Sequence, residues 1–170
     1  MALSAGDIAI VGFDTDANDS FSFVLLADVA AGEQVLFTDN AWTGAAFRTG
    51  ENTLTWTAPT GGLTKGAVIK VEDTVILDAA KGTTTGALSG LSASGDQLIA
   101  YQGLAASPTF LFALTNSGAW LSTGTASSNT SYLPAGLVDG QTAIALPEVD
   151  NNAYTGPLSG TKDQLLAAIA

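Results

Sequence analysis

The chain has no cysteine and no histidine. Their absence excludes a disulfide framework, a thiol nucleophile, a Ser-His-Asp triad and the usual zinc sites. Basic residues are scarce as well: Arg48, Lys65, Lys70, Lys81 and Lys162 stand against 16 acidic residues, for a formal net charge of -11. Phosphate binding needs clustered Lys and Arg, so nucleic acid is excluded as a partner. No stretch approaches the roughly 20 consecutive apolar residues of a membrane span. The opening MALSAGDIAIVGF lacks both a basic region and an apolar core of signal-peptide length, which leaves a cytoplasmic protein, or an export signal that lies elsewhere or has been removed. KGTTTG lacks the lysine placement of a phosphate-binding loop. Paired carboxylates suffice for glycoside hydrolysis, but nothing marks a pair here as a pocket, and no enzymatic activity is expected. No internal repeat with a period of about 20 to 50 residues is present.

Charge of either sign is thin. Charged residues make up 12% of the chain, where a soluble domain carries about 25%. The surface must therefore be built from Thr, Ser, Gly, Asn and Ala, and such a surface tolerates burial against something else. Two readings follow: an extracellular protein rich in small polar residues, or one whose surface is partly hidden in subunit contacts. The acidic excess suits salty or calcium-rich extracellular surroundings, where cations screen repulsion between copies. Absence of cysteine is usual in proteins that bacteria export without an oxidative folding step. The hydrophobic share of 46% is ample for a core, and 170 residues are most simply one domain.

The patterning is that of strands. SFSFVLLADVAAGEQVLFTDNAW, residues 20–42, reads as strand, turn and returning strand, with Phe21, Phe23 and Leu25 on one face and Val24 and Leu26 on the other. A hairpin apolar on both faces needs the remaining chain to cover it. Ahead of it DIAIVGF predicts a buried strand with Gly12 at a bulge. After it, Trp42 and Phe47 are expected to fold back as lids over one end of the core. ENTLTWTA alternates Thr with Leu54 and Trp56, and GAVIKV, residues 98–101, TFLFAL and TAIAL add further strands. Lys81 to Gly90 is Thr- and Gly-rich and reads as a surface loop, as does Trp120 to Leu133. Only the tail reads as helix: Thr161 and Gln164 fit a capping box, and Leu165, Leu166 and Ile169 form an apolar stripe. Roughly eight or nine strands with turns about 8 to 15 residues apart predict an all-β, two-sheet, Ig-like sandwich with long loops and one short C-terminal helix.

Two clusters of hard oxygen donors stand out. Asp14, Asp16, Asn18 and Asp19 crowd one loop, and Glu148, Asp150, Asn151 and Asn152 form a second. Calcium favours such donors. The first is not an EF-hand, because Asp19 stands where that loop has Gly and Leu25 where it has Glu. Solvated acidic turns are the plain alternative. In LSASGD, residues 91–96, Gly95 permits left-handed geometry and Asp96 can cap neighbouring amides, with a ligand role for Asp96 as the alternative. Trp42, Trp56, Trp120, Tyr101, Tyr132 and Tyr154 could stack on sugars or serve packing.

Taken in order, GDIAIVGFDTD, FSFVLLAD, VAAGEQVLFTDNAW, LTKGAVIKV and LSASGDQLIAYQG resemble the lamin-tail-like sandwich domains of secreted bacterial proteins. The resemblance covers about residues 6 to 115, with Leu63, Lys65 and Gly66 at one turn of the family pattern and Leu91, Ser92, Ser94, Gly95 and Asp96 at the next. It implies an accessory or structural module, of the kind that accompanies secreted hydrolases and adhesins or builds surface assemblies. The expectation is a non-enzymatic extracellular structural subunit that assembles with copies of itself into a filament or surface layer. Its N-terminal strand would complete a neighbour's sheet, with contacts at Ile8, Ile10, Trp120 and Tyr132. The alternatives are a calcium-dependent module binding glycans or a cell surface, or an accessory domain of a secreted hydrolase.

Overall fold

The computed structural model describes residues 2–16 and 18–170. Two sheets face each other, as the patterning predicts. The first has the order β11 (Asn151–Ala153), β1 (Ile8–Asp14), β2 (Ser20–Leu25), β5 (Val68–Glu72), β6 (Val75–Ile76). The second runs β10 (Ala143–Ala145), β9 (Ser107–Thr115), β8 (Gln97–Leu104), β3 (Gln34–Thr38), β4 (Thr53–Thr57), β7 (Thr83–Gly86). Neighbours are antiparallel except β10 and β9, which are parallel. One α-helix, α1 (Lys162–Ile169), follows the last strand.

Alternation decides which side chains enter the core. Phe21, Phe23 and Leu25 of β2 and Ile69 and Val71 of β5 point inward from the first sheet. Val35, Phe37, Leu54, Trp56, Leu98 and Phe112 meet them from the second. Phe37 sits 4.8 Å from both Phe21 and Phe23, and Trp56 lies edge-on to Phe23 at 5.2 Å. The Trp56 indole N–H donates to the Lys81 carbonyl at 2.9 Å, which meets the polar requirement of a buried indole.

The chain from Ser20 to Trp42 is not the expected hairpin. β2 and β3 lie in opposite sheets, joined by an arch across residues 26–33. Val29 pairs with Leu63 in both directions, and Ala58 donates to Glu33. Gly62 allows the close approach: its φ is +67°, and a Cβ there would stand 2.5 Å from the Val29 carbonyl oxygen. The physical reason is burial. Opposite layers let Phe23 and Phe37 pack face to face across the interior, whereas a hairpin would leave both on one side of a single sheet.

Other expectations hold or shift locally. The bulge beside Gly12 is present, as a register break between Ile10 and Gly12 against β2. Thr161 and Gln164 form the capping box. Lys81 to Gly90 is not simply a loop, for Thr83 to Gly86 pairs with β4 as an edge strand. Threonine's branched Cβ suits a half-exposed edge. Trp42 and Phe47 do act as lids, but over the outer face of the second sheet. There Trp42 meets Phe110 at 4.9 Å and Phe47 meets Tyr101 at 5.0 Å. With Ile99, Ala113, Leu137 and Ala143 they form a second buried cluster, closed over by the long segment 116–142.

Candidate functional site

Three features bear on function: the seam where the two acidic clusters meet, a buried polar centre at the ends of three strands, and the uncovered face of the first sheet. The seam comes from β11 lying on the edge of β1, with Asp14 opposite Asn151, Phe13 opposite Asn152 and Gly12 opposite Ala153. The two oxygen-rich clusters, far apart in sequence, are thereby side by side. Thr15 donates to the Asp150 carbonyl through both its amide, at 3.0 Å, and its hydroxyl, at 3.1 Å. Asn151 donates to Asp16 at 2.8 Å, and Asp14 accepts the Asp16 amide at 2.9 Å. Asn18 turns away to Glu72. Asp19 is drawn off as well, its carboxylate accepting the Gly90 and Leu91 amides. Among the described residues no group of three or more Asp or Glu side chains converges where one metal ion would be held.

The residues expected at subunit contacts occupy two places. Ile8 and Ile10 are 0% and 1% exposed, in register with Leu25 and Phe23 of their own sheet. Trp120 and Tyr132 are half-buried over the second sheet. The Trp120 indole donates to Asp139 at 3.2 Å and the Tyr132 hydroxyl to the Gly124 carbonyl at 2.7 Å. The Tyr132 amide also donates to the Trp42 carbonyl, while the Trp42 amide donates to Ser131 Oγ. The two side-chain bonds stay within segment 116–142, and the Tyr132 amide and Ser131 join that segment to Trp42.

The polar centre is built around Asp96 and Gln97, 4% and 0% exposed. The Asp96 carboxylate accepts the Ser92 amide at 2.8 Å, closing the LSASGD turn, together with the Gln97 amide at 2.8 Å and the Gln97 side chain at 3.1 Å. The capping role read for Asp96 is therefore the one it performs. The Gln97 amide nitrogen also reaches the Asp39 and Ser128 carbonyls, while its Oε1 is buried without a hydrogen-bond partner. Asn116 accepts the Asp96 amide, and Asn129 donates to the Gly95 carbonyl at 2.7 Å. Asp39 accepts the Asn52 amide at 2.6 Å. Loss of water around Asp96 pushes its carboxyl up to about 8, against the pull of the Ser92 and Gln97 amides and with added repulsion from Asp39 and Glu51. Burial likewise raises Asp39 and Glu51. Sequence reasoning singled out Asp96 but passed over Asp39, Gln97, Asn116 and Asn129. The available signal was a polar pair at each strand end: Asp39-Asn40, Asp96-Gln97 and Thr115-Asn116.

The two outer faces differ in cover. Segment 116–142 closes the second sheet's, whereas the β2–β5–β6 region of the first carries an apolar patch in the open. Val24 and Val68 are register partners pointing outward, since Phe23 and Ile69 beside them point in. Val68 is 44% exposed, Val75 59% and Leu77, just past β6, 56%. Lys70 and Glu72 share this outward face, and the Lys81 ammonium donates to the Val68 carbonyl at 2.7 Å.

Comparison of the chain with protein-family profiles, with curated proteins and with solved structures returned no match.

Proposed function

We propose that this chain is a non-enzymatic structural subunit that works outside the cell by associating with copies of itself into a filament or surface assembly. The observation that carries this reading is the exposed Val68, Val75 and Leu77 on the first sheet, beside the partly buried Val24, left open by a chain that covers the other sheet's outer face at length. Contiguous exposed apolar surface on a soluble protein marks a contact site. The partner is a second copy, because a surface with 12% charged residues, bordered at the patch by charges of both signs in Lys70, Lys81 and Glu72, offers little to a strongly charged ligand. The resemblance to lamin-tail-like modules of surface assemblies points the same way. No helix among the described residues is long and apolar enough to cross a membrane.

Calcium's part in this proposal is screening rather than caged coordination. Asp14, Asp16 and Asp150 crowd one seam of a molecule with net charge -11, and divalent cations would weaken the repulsion between neighbours.

The test replaces Val68 and Val75 by lysine. Both side chains face water, so folding should survive. Sedimentation and negative-stain microscopy should show assemblies with the unaltered chain and monomers with Val68→Lys/Val75→Lys at the same concentration. Strict monomers of the unaltered chain across concentration and calcium would overturn the reading.

A further inference from the structure

Residues 147–170 form a strap along the rim of β1. β11 closes the rim of β1 through three residue pairs, extended by the Tyr154 amide donating to the Val11 carbonyl at 2.9 Å. Beneath it lies an unfilled cleft of about 130 Å³, lined by Ile10, Phe13, Leu114, Ile144, Tyr154 and Ile169 among others. The helix at its end buries Leu166 to 8% exposure, packs Leu165 and Ile169 partly against the core, and is pinned by the Lys162–Asp7 ion pair at 2.6 Å. Residues 147–151, through which the strap leaves β10, are all exposed, and Leu158 is 92% exposed. By contrast β1 itself is held along almost its whole length by β2 and has both isoleucines in the core.

We propose that the strap is the exchangeable element: residues 147–170 of one copy lie along β1 of the next, and β1 is the acceptor rather than the donor strand. This rests on the self-association reading above and names its contact. The exchange costs little in principle, because the same sequence makes the same bonds to Thr15, Asp16 and Val11 whether it comes from its own chain or from a neighbour. The exposed residues 147–149, held by the Asn116 side chain donating to the Val149 carbonyl at 3.3 Å, are the hinge such an exchange needs, and strand addition to a sheet rim supplies main-chain hydrogen bonds without a preformed pocket. If each copy gives its strap forward and receives one behind, the contact is head-to-tail and the assembly stays open.

The chain has no native thiol, so a cysteine pair reports cleanly. In Asp14→Cys/Asn151→Cys the new thiols are register partners across β1 and β11. Oxidised as a dilute monomer, this variant should stay monomeric by light scattering, and a reductant should restore assembly. Oxidised after assembly, it should run as a ladder of covalent oligomers on a non-reducing denaturing gel. Gly12→Cys/Ala153→Cys, the next register pair on the same face of β1 and β11, offers a second lock should the first variant not fold. Assembly by the locked monomer, or only intramolecular bonds within assembled material, would overturn strap exchange while leaving self-association standing. No assembly by the unaltered chain would overturn both.

Discussion

At the scale of single residues, Asp96 is the most consequential side chain in the molecule. It closes a turn, fixes Gln97 and lies near two further carboxyls, the buried Asp39 and the half-exposed Glu51. Its carboxyl titrates at about 8 in the folded chain instead of near the ordinary 3.8. Folding therefore takes up a proton between those values. The stabilisation is complete below about pH 4 and is lost as pH rises through 8. Thermal melts should show a Tm lower by on the order of 10 °C at pH 8.5 than at pH 4. Asp96→Asn should flatten most of that slope, leaving a remainder from Asp39 and Glu51, whose carboxyls are also raised. An unchanged slope in Asp96→Asn would show that the titration belongs elsewhere. Gly95 works with Asp96: its φ is +103°, and a Cβ there would stand 2.8 Å from Ser117 Oγ.

At the scale of elements, the helix is the clearest case of a local signal matched by a local structure. Thr161 accepts the Gln164 amide at 3.2 Å, and the Gln164 side chain accepts the Thr161 amide at 2.9 Å. Thr161→Ala should cost about 1 kcal/mol of helix stability. Because α1 buries Leu166 and packs Leu165 and Ile169 only partly against the core, the loss should appear as faster hydrogen exchange confined to residues 162–170, with the sandwich unaffected. Strands were legible wherever Thr alternates with large apolar residues, as at Leu54 and Trp56, since alternation is itself the physical cause of a half-buried strand. Partners were not legible. Period-two patterning says which face of β2 and β3 is buried but not which neighbour each strand pairs with, so the arch was read as a hairpin. β7 and β11 went unseen because Thr83-Thr84-Thr85-Gly86 and Asn151-Asn152-Ala153 carry no apolar alternation, and only an existing rim makes strands of them. The polar centre escaped for a related reason. Its members sit at the ends of β3, β8 and β9 and in segment 116–142, and only the completed fold gathers them.

At the scale of the whole molecule, the charge balance and the open face act against each other. Sixteen acidic side chains against five basic ones keep copies apart in dilute salt, while the valines and Leu77 of the first sheet favour contact over a short range. The Debye length falls from about 30 Å at 0.01 M ionic strength to about 8 Å at 0.15 M. Assembly should therefore begin at a protein concentration lower by roughly tenfold or more at the higher salt, with calcium acting at smaller concentrations than sodium. Sedimentation across a salt series checks this, and an onset independent of salt would mean that repulsion between copies is not what holds them apart.

The Lys162–Asp7 ion pair has a mechanical consequence. It brings the start of the first strand and the start of the terminal helix to the same corner of the sandwich. A load applied across the two ends of the chain thus pulls at a corner, peeling the last helix and then three strand pairs one after another. Elements in series carry the same tension, so the helix and the strand pairs yield while the aromatic interior holds, and the molecule has a short extensible tether in series with a stiff body.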